Sequence, residues 1–255
     1  MTGKRIRMQR LIQRGTGRSL ILPFDHGYFL GLIEGSADFR GLVRLAADSR
    51  ADAILITRGI ARATADVFGG VKGLILRISG MTALSPHADH EVVVTSVESA
   101  LALGADAVAV TVFLGSEHEQ DMLRGLGRVA DACDRLGIPL LGEIMFSPRL
   151  AEKAFQAEYV AWAARLGQEA GADILKLNYP GDAAGMRHVV SGCTLPIVIA
   201  GGARLDSDAD VLRMASESVR GGAVGTCIGR NVFQSPDPAG LLARLAEIVH
   251  DGKAV

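Results

Sequence analysis

The stretch GADILKLNYPGD, residues 171 to 182, sets one lysine, Lys176, in the middle of an aliphatic run. The run is short, rich in Ile and Leu, and bounded by glycines, which reads as a strand. Counting it, eight such runs recur along the chain: LILPFDHG (20–27), ADAILIT (51–57), GLILRISG (73–80), AVAVTVF (107–113), PLLGEIM (139–145), ILKLNYP (174–180), PIVIAGG (196–202) and AVGTCIG (223–229). Between them lie segments with apolar residues three and four apart that close on glycine. HEVVVTSVESALALG (90–104), EHEQDMLRGLGRVADACDRLG (117–137) and EYVAWAARLGQEAG (158–171) are read as helices. Eight strands alternating with helices over 255 residues predict an α/β chain, a single-domain (β/α)8 TIM barrel spanning residues 1–255, with an open doubly wound sheet as the alternative.

Composition narrows the function classes. The chain is 49% hydrophobic with 31 glycines, enough for a sizeable core, and its 27 basic and 28 acidic residues leave a net charge of -1. That balance gives no footprint for nucleic acid or an anionic membrane surface, so neither is expected as a partner. The basic arm before residue 20 is read as a helix closing the barrel bottom or as a subunit contact. Cys133, Cys193 and Cys227 have no metal-type spacing and are odd in number, which argues for buried apolar roles in a reducing compartment. With no signal-peptide core and no apolar run long enough for a bilayer, a cytoplasmic protein is expected.

In a barrel of this kind the chemistry gathers at the carboxyl ends of the strands. Strand 1 runs into Asp25, His26 and Gly27, strand 2 into Arg58, and strand 3 carries Arg77. On strand 6 a period of two puts Lys176 on the face of Ile174 and Asn178, opposite Leu175 and Leu177, and therefore inside the barrel. Either Lys176 is an ion-pair partner of Glu143 or Asp25, or it is a nucleophile. A lysine at its ordinary pKa is unprotonated in roughly one molecule in a few thousand at neutral pH, so the nucleophilic reading expects burial and nearby cations to lower that pKa. Gly201 and Gly202 after strand 7, and Gly229 and Arg230 after strand 8, match the place where this fold holds phosphate. His26 and Arg58 are further candidates for holding substrate. A lysine beside such a phosphate site describes an enzyme that anchors a phosphorylated ketone or ketose and attacks its carbonyl.

The segments PFDHGYFLG, TRGI, LRISG, LGSEHEQ, ADILKLNYPGD, PIVIAGGAR and GTCIGRNVFQSPDP resemble the class I aldolases grouped with DeoC and LacD over about residues 15 to 250. That group includes archaeal-type fructose-bisphosphate aldolase, 2-amino-3,7-dideoxy-D-threo-hept-6-ulosonate synthase and the LsrF thiolase, and the motifs look most similar to LsrF. The resemblance implies a (β/α)8 barrel and a homo-oligomer. It also matches Lys176 to the Schiff-base lysine, Asp25 to the active-site aspartate, and the GG and GRN segments to the phosphate loops.

One departure stands out. The aldolases of the group usually carry a tyrosine proton donor near the end of strand 5, where this chain has GEIMFSPRL, with Met145, Phe146 and Ser147. Glu143, on the same face as Met145, either takes over as general acid or base or serves as the salt partner of Arg77. The expected activity is therefore a class I aldolase acting through Lys176, with an LsrF-like transfer of an acyl group from a phosphorylated dione to coenzyme A as the alternative. No cofactor and no catalytic metal are expected, coenzyme A entering only as co-substrate of the alternative. His87 and His90 of SPHADH have a possible zinc spacing but are read as part of a solvated loop.

Overall fold

Each aliphatic run forms a parallel strand in the computed structural model, which describes residues 2–253. The strands are β1 (Ser19–Pro23), β2 (Ala53–Thr57), β3 (Gly73–Arg77), β4 (Ala107–Leu114), β5 (Leu140–Phe146), β6 (Ile174–Leu177), β7 (Ile197–Ala200) and β8 (Gly225–Cys227). They pair in chain order and β8 closes on β1, so the architecture is the closed (β/α)8 barrel rather than the open sheet.

Side-chain parity divides the core in two. Ile21, Leu55, Ile75, Ala109, Leu141, Ile174, Val198 and Cys227 point inward and form the inner layer. Their neighbours, such as Leu175 and Leu177, pack outward with the helices. Those helices are α2 (Phe39–Asp48), α3 (Arg58–Ala63), α4 (Val97–Ala102), α5 (Glu119–Leu136), α6 (Ala157–Glu169), α7 (Ala183–Ser191), α8 (Asp208–Arg220) and α9 (Pro238–Asp251). Several start on a side chain that accepts an otherwise unpaired backbone N–H: Asp38, Ser96, Asp182, Ser207 and Asp237 each bond the residue three places on. Cys133, Cys193 and Cys227 are all buried and free.

The bottom of the barrel is held by a repeated device. Asp52, Asp106 and Asp173, each one residue ahead of an even-numbered strand, accept from the backbone N–H of Leu20, Leu74 and Leu140 on the preceding odd-numbered strand, at 2.7, 3.1 and 2.8 Å. A basic side chain faces each one: His250 at 3.1 Å, Arg10 at 2.7 Å and Lys4 at 2.7 Å. Lys4 and Arg10 belong to α1 (Thr2–Leu11), so the basic arm lies across the amino ends of the strands. Its last residue, Leu11, is fully buried in the inner layer.

One segment departs from the sequence expectation. The helix read over residues 90–104 begins only at Val97, because Ser96 caps it there. Ahead of it Val92–Val93 pair antiparallel with Ser79–Gly80, leaving Val92, Val93 and Val94 exposed. The cause is Glu91, whose carboxylate is buried against Arg77 and Ser79 and draws the chain across the barrel mouth. Among the described residues no helix is long and apolar enough to cross a membrane.

Leu11 is the apolar plug of the barrel bottom, so Leu11→Ala should leave a cavity costing about 2–5 kcal/mol. Urea unfolding of the two proteins measures it, and a loss below about 1 kcal/mol would deny Leu11 that role.

Candidate active site

Above the apolar inner layer, the next inward position on four consecutive strands is polar. Arg77 follows Ile75, Thr111 follows Ala109, Glu143 follows Leu141 and Lys176 follows Ile174. Glu143 is in register with Thr111 on one side and Lys176 on the other. The two oxygens of Glu143 are therefore divided. Oε1 lies 2.5 Å from Lys176 Nζ, while Oε2 accepts from Thr111 Oγ1 at 3.0 Å and from the Arg77 guanidinium. Arg77 donates through Nε to Asp25 Oδ2 at 2.8 Å, and its Nη1 faces Thr111 and the Glu91 carboxylate, 3.3 Å away. All six of these side chains are buried.

Electrostatics follow from this packing. Burial alone would push the Lys176 ammonium down, but the Glu143 carboxylate with Asp25 outweighs it and holds the lysine above its ordinary value. Burial would likewise raise Glu143, yet Lys176 and Arg77 hold its carboxyl well below the usual range. The resting site is thus an ammonium–carboxylate pair. The lowered lysine pKa expected from the sequence is not what the resting arrangement provides, because the nearest charges are anions. Glu91 is raised, chiefly by burial, with Arg77 pulling against it.

Lys176 opens into a cavity of about 200 Å3 at the carboxyl end of the barrel. Of the residues singled out by sequence, Asp25, His26, Glu143, Lys176, Gly201, Gly202, Gly229 and Arg230 all line it. Arg58 does not: β2 passes directly into α3 at this residue, and its side chain is exposed. The glycines are needed for the close approach. A Cβ on Gly229 would sit 2.5 Å from His26 Cε1 and 2.6 Å from the Pro23 carbonyl, and Gly202 has φ +67°. Asn231 pins the loop after β7 by donating to Gly201 O and Ala203 O at 2.9 and 3.0 Å. The Arg230 Nε is buried without a hydrogen-bond partner among the described residues. Backbone N–H groups beside an unpartnered guanidinium suit an anion such as phosphate.

Two functional neighbours escaped the sequence reading. Thr111 was legible, since inward parity on β4 selects 107, 109 and 111. Glu91 was not, because it lies in an irregular segment whose sequence carries a helical pattern. None of the chain's three tyrosines lines the cavity. Tyr179, the one nearest Lys176 in sequence, donates its hydroxyl to Glu217 at 2.6 Å. At the end of β5, where the chain carries no tyrosine, Met145 lines the wall together with Phe113.

The profile of the DeoC/LacD family aldolases matches residues 19–235. The chain belongs to the DeoC/LacD aldolase family. A curated relative, 2-amino-3,7-dideoxy-D-threo-hept-6-ulosonate synthase 1 of Archaeoglobus fulgidus, is 37% identical, the match covering 98% of this chain and 92% of the relative. The 3-hydroxy-5-phosphonooxypentane-2,4-dione thiolase of Yersinia pestis is 32% identical over 97% of this chain and 82% of its own. Among solved structures, an archaeal fructose-1,6-bisphosphate aldolase whose catalytic lysine is covalently bound to the carbinolamine intermediate superposes with a TM-score of 0.88 at 32% identity, covering 97% of this chain and 99% of that one. The family is one of class I, Schiff-base aldolases, and it brings the barrel with it.

His26 gives the site a measurable pH dependence. Packed against Phe29 and Phe233, it is pushed by burial from 6.5 to about 4 despite Asp25. The unfolded chain then takes up a proton that the fold refuses, so this contribution is intact above pH 6.5 and is lost as pH falls toward 4. Between those two values the wild type should lose about 3 kcal/mol more stability than His26→Gln in parallel urea titrations. Parallel curves for the two proteins would show that His26 does not titrate in this way.

Proposed function

We propose that this chain is a lysine-dependent aldolase that makes or breaks a carbon–carbon bond in a phosphorylated ketose other than fructose 1,6-bisphosphate, through an imine on Lys176. The observation that carries the reading is the placement of Lys176 and Arg230 on the walls of one cavity, with Glu143 against the lysine and no tyrosine present. Arg230 and the backbone at Gly201, Gly202 and Gly229 hold the phosphate.

Glu143 Oε1 takes a proton from Lys176, and the freed amine adds to the substrate carbonyl carbon. The carbonyl oxygen gains two protons in succession and leaves as water, giving an iminium. Its positive charge sits where the ammonium was, so Glu143 stabilises both states. In the synthetic direction a base removes the proton on the adjacent carbon to give the enamine, which attacks the aldehyde, whose oxygen takes a proton. Water then releases the product and returns the lysine. Oε2 of Glu143 is tied to Arg77, which leaves Oε1 for the proton at nitrogen. Asp25 keeps Oδ2 on Arg77 and lines the cavity, and it serves as the second carboxylate for the transfers at carbon and oxygen.

The missing tyrosine also favours a second reading, acyl transfer from a phosphorylated dione to coenzyme A, and the thiolase relative supports it.

Borohydride reduction with dihydroxyacetone phosphate should leave a covalent mass on the peptide carrying Lys176. Label elsewhere, with Lys176 untouched, would reject the imine assignment. Carbon–carbon cleavage that occurs only with added coenzyme A and yields an acyl thioester would replace the aldolase by the transferase. Arg230→Ala should weaken phosphorylated ligands roughly 30- to 150-fold and hardly touch unphosphorylated analogues. Equal weakening of both would remove Arg230 from the phosphate site.

A further inference from the structure

The loop over residues 81–91 and the turn between β4 and α5 meet at the barrel rim, where His87, Glu117 and His118 converge. We propose that these three side chains form a binding site for one divalent transition-metal ion of the zinc class, which clamps the 81–91 loop to the start of α5. The three offer donor atoms all within 4.8 Å of one another. His87 Nδ1 lies 3.2 Å from Glu117 Oε1, and His118 Nε2 lies 3.8 Å from the same oxygen. Zinc bonds of about 2.0–2.1 Å in a tetrahedron hold neighbouring donors about 3.3 Å apart, so the two contacts to Glu117 are already within about half an ångström of that spacing, and the two histidines close on each other from within 4.8 Å. His87 and Glu117 are about half exposed and free to make it. His118 Nε2 is buried and has no hydrogen-bond partner among the described residues, a polar atom that a metal would satisfy.

Ring geometry selects this triad over its neighbour. His90, His118 and Asp121 also lie within reach of one another. However, the His90 ring stacks on His118 at 4.2 Å with planes only 14° apart, whereas His87 meets His118 nearly edge-on at 88°. An imidazole binds metal in its own plane. Stacked, near-parallel planes share no point where one ion could sit in both, whereas perpendicular planes cross along a line that can hold one. His90 instead buttresses the His118 ring, and Arg149 holds the second oxygen of Glu117 at 3.4 Å, leaving Oε1 between the two histidines. None of His87, Glu117 and His118 lines the lysine cavity, so the ion stands outside the carbon chemistry. It fixes the loop that delivers Glu91 to Arg77. Two histidines and one carboxylate leave a fourth position for water, and nitrogen with oxygen donors suits zinc, cobalt or nickel over calcium or magnesium.

The test uses the full, tag-free chain stripped with a chelator, titrated with zinc by calorimetry and with cobalt by visible absorption. One equivalent of zinc and an intense, tetrahedral-type cobalt spectrum are expected. His87→Asn and Glu117→Gln should each weaken zinc at least about 10-fold, and His90→Asn should change it less than His87→Asn does. Zinc should also slow proteolytic cleavage within residues 81–91 in the wild type and not in His118→Asn, circular dichroism verifying that each variant is folded. Less than one equivalent bound, or affinity unchanged in both His87→Asn and Glu117→Gln, overturns the proposal. So does loss of binding in His90→Asn or Asp121→Asn with His87→Asn unaffected, which would seat the ion on the other triad.

Discussion

The guanidinium of Arg77 is the cation around which the top of the barrel is arranged. It meets Asp25, Glu91 and Glu143, three carboxylates from three separate parts of the chain, and each is buried. Taking one partner from such a network typically costs about 3–5 kcal/mol because an uncompensated charge remains inside. With Lys176 the network sums to two cations against three carboxylates, and of the three Glu91 is the one that burial raises against the pull of Arg77. By occupying one oxygen of Glu143, Arg77 also decides that the other faces the lysine.

The lower half of the barrel obeys a different constraint. There the inner layer is aliphatic, and at its edge Asp52, Asp106 and Asp173 bind strand N–H groups and Arg10, Lys4 and His250 answer them. This apolar plug, closed by Leu11, gives the charged layer above it a dry floor. Low dielectric strengthens each ion pair there, which is why Lys176 and Glu143 shift in opposite directions.

Much of this was legible before any coordinates. Eight aliphatic runs with turn residues between them leave little choice of fold at this length, and the alternation of Leu175 and Leu177 with Lys176 fixes which way the lysine points. The glycine pair after β7 and Gly229–Arg230 after β8 were readable because close backbone approach demands glycine. What sequence could not show were the contacts made across the barrel. HEVVVTS carries no signal that Glu91 is swallowed by Arg77, so its valines looked helical when they form an exposed two-residue strand. Arg58 looked like a strand-end arginine aimed at substrate, but an immediate turn into helix leaves it exposed. The sign of the lysine shift was hidden too, because it depends on which of Glu143 and Arg77 lies nearer the amine. That choice is made by strand register.

The Lys176–Glu143 pair is tested most directly by the pH dependence of cyanoborohydride trapping at Lys176 with dihydroxyacetone phosphate, compared between the wild type and Glu143→Gln. Removing the carboxylate leaves burial and the Arg77 charge to act on the amine. The pH at which trapping is half-maximal should then fall by about one unit or more. An unmoved midpoint, or one that rises, would contradict the claim that Glu143 holds the lysine protonated and receives its proton.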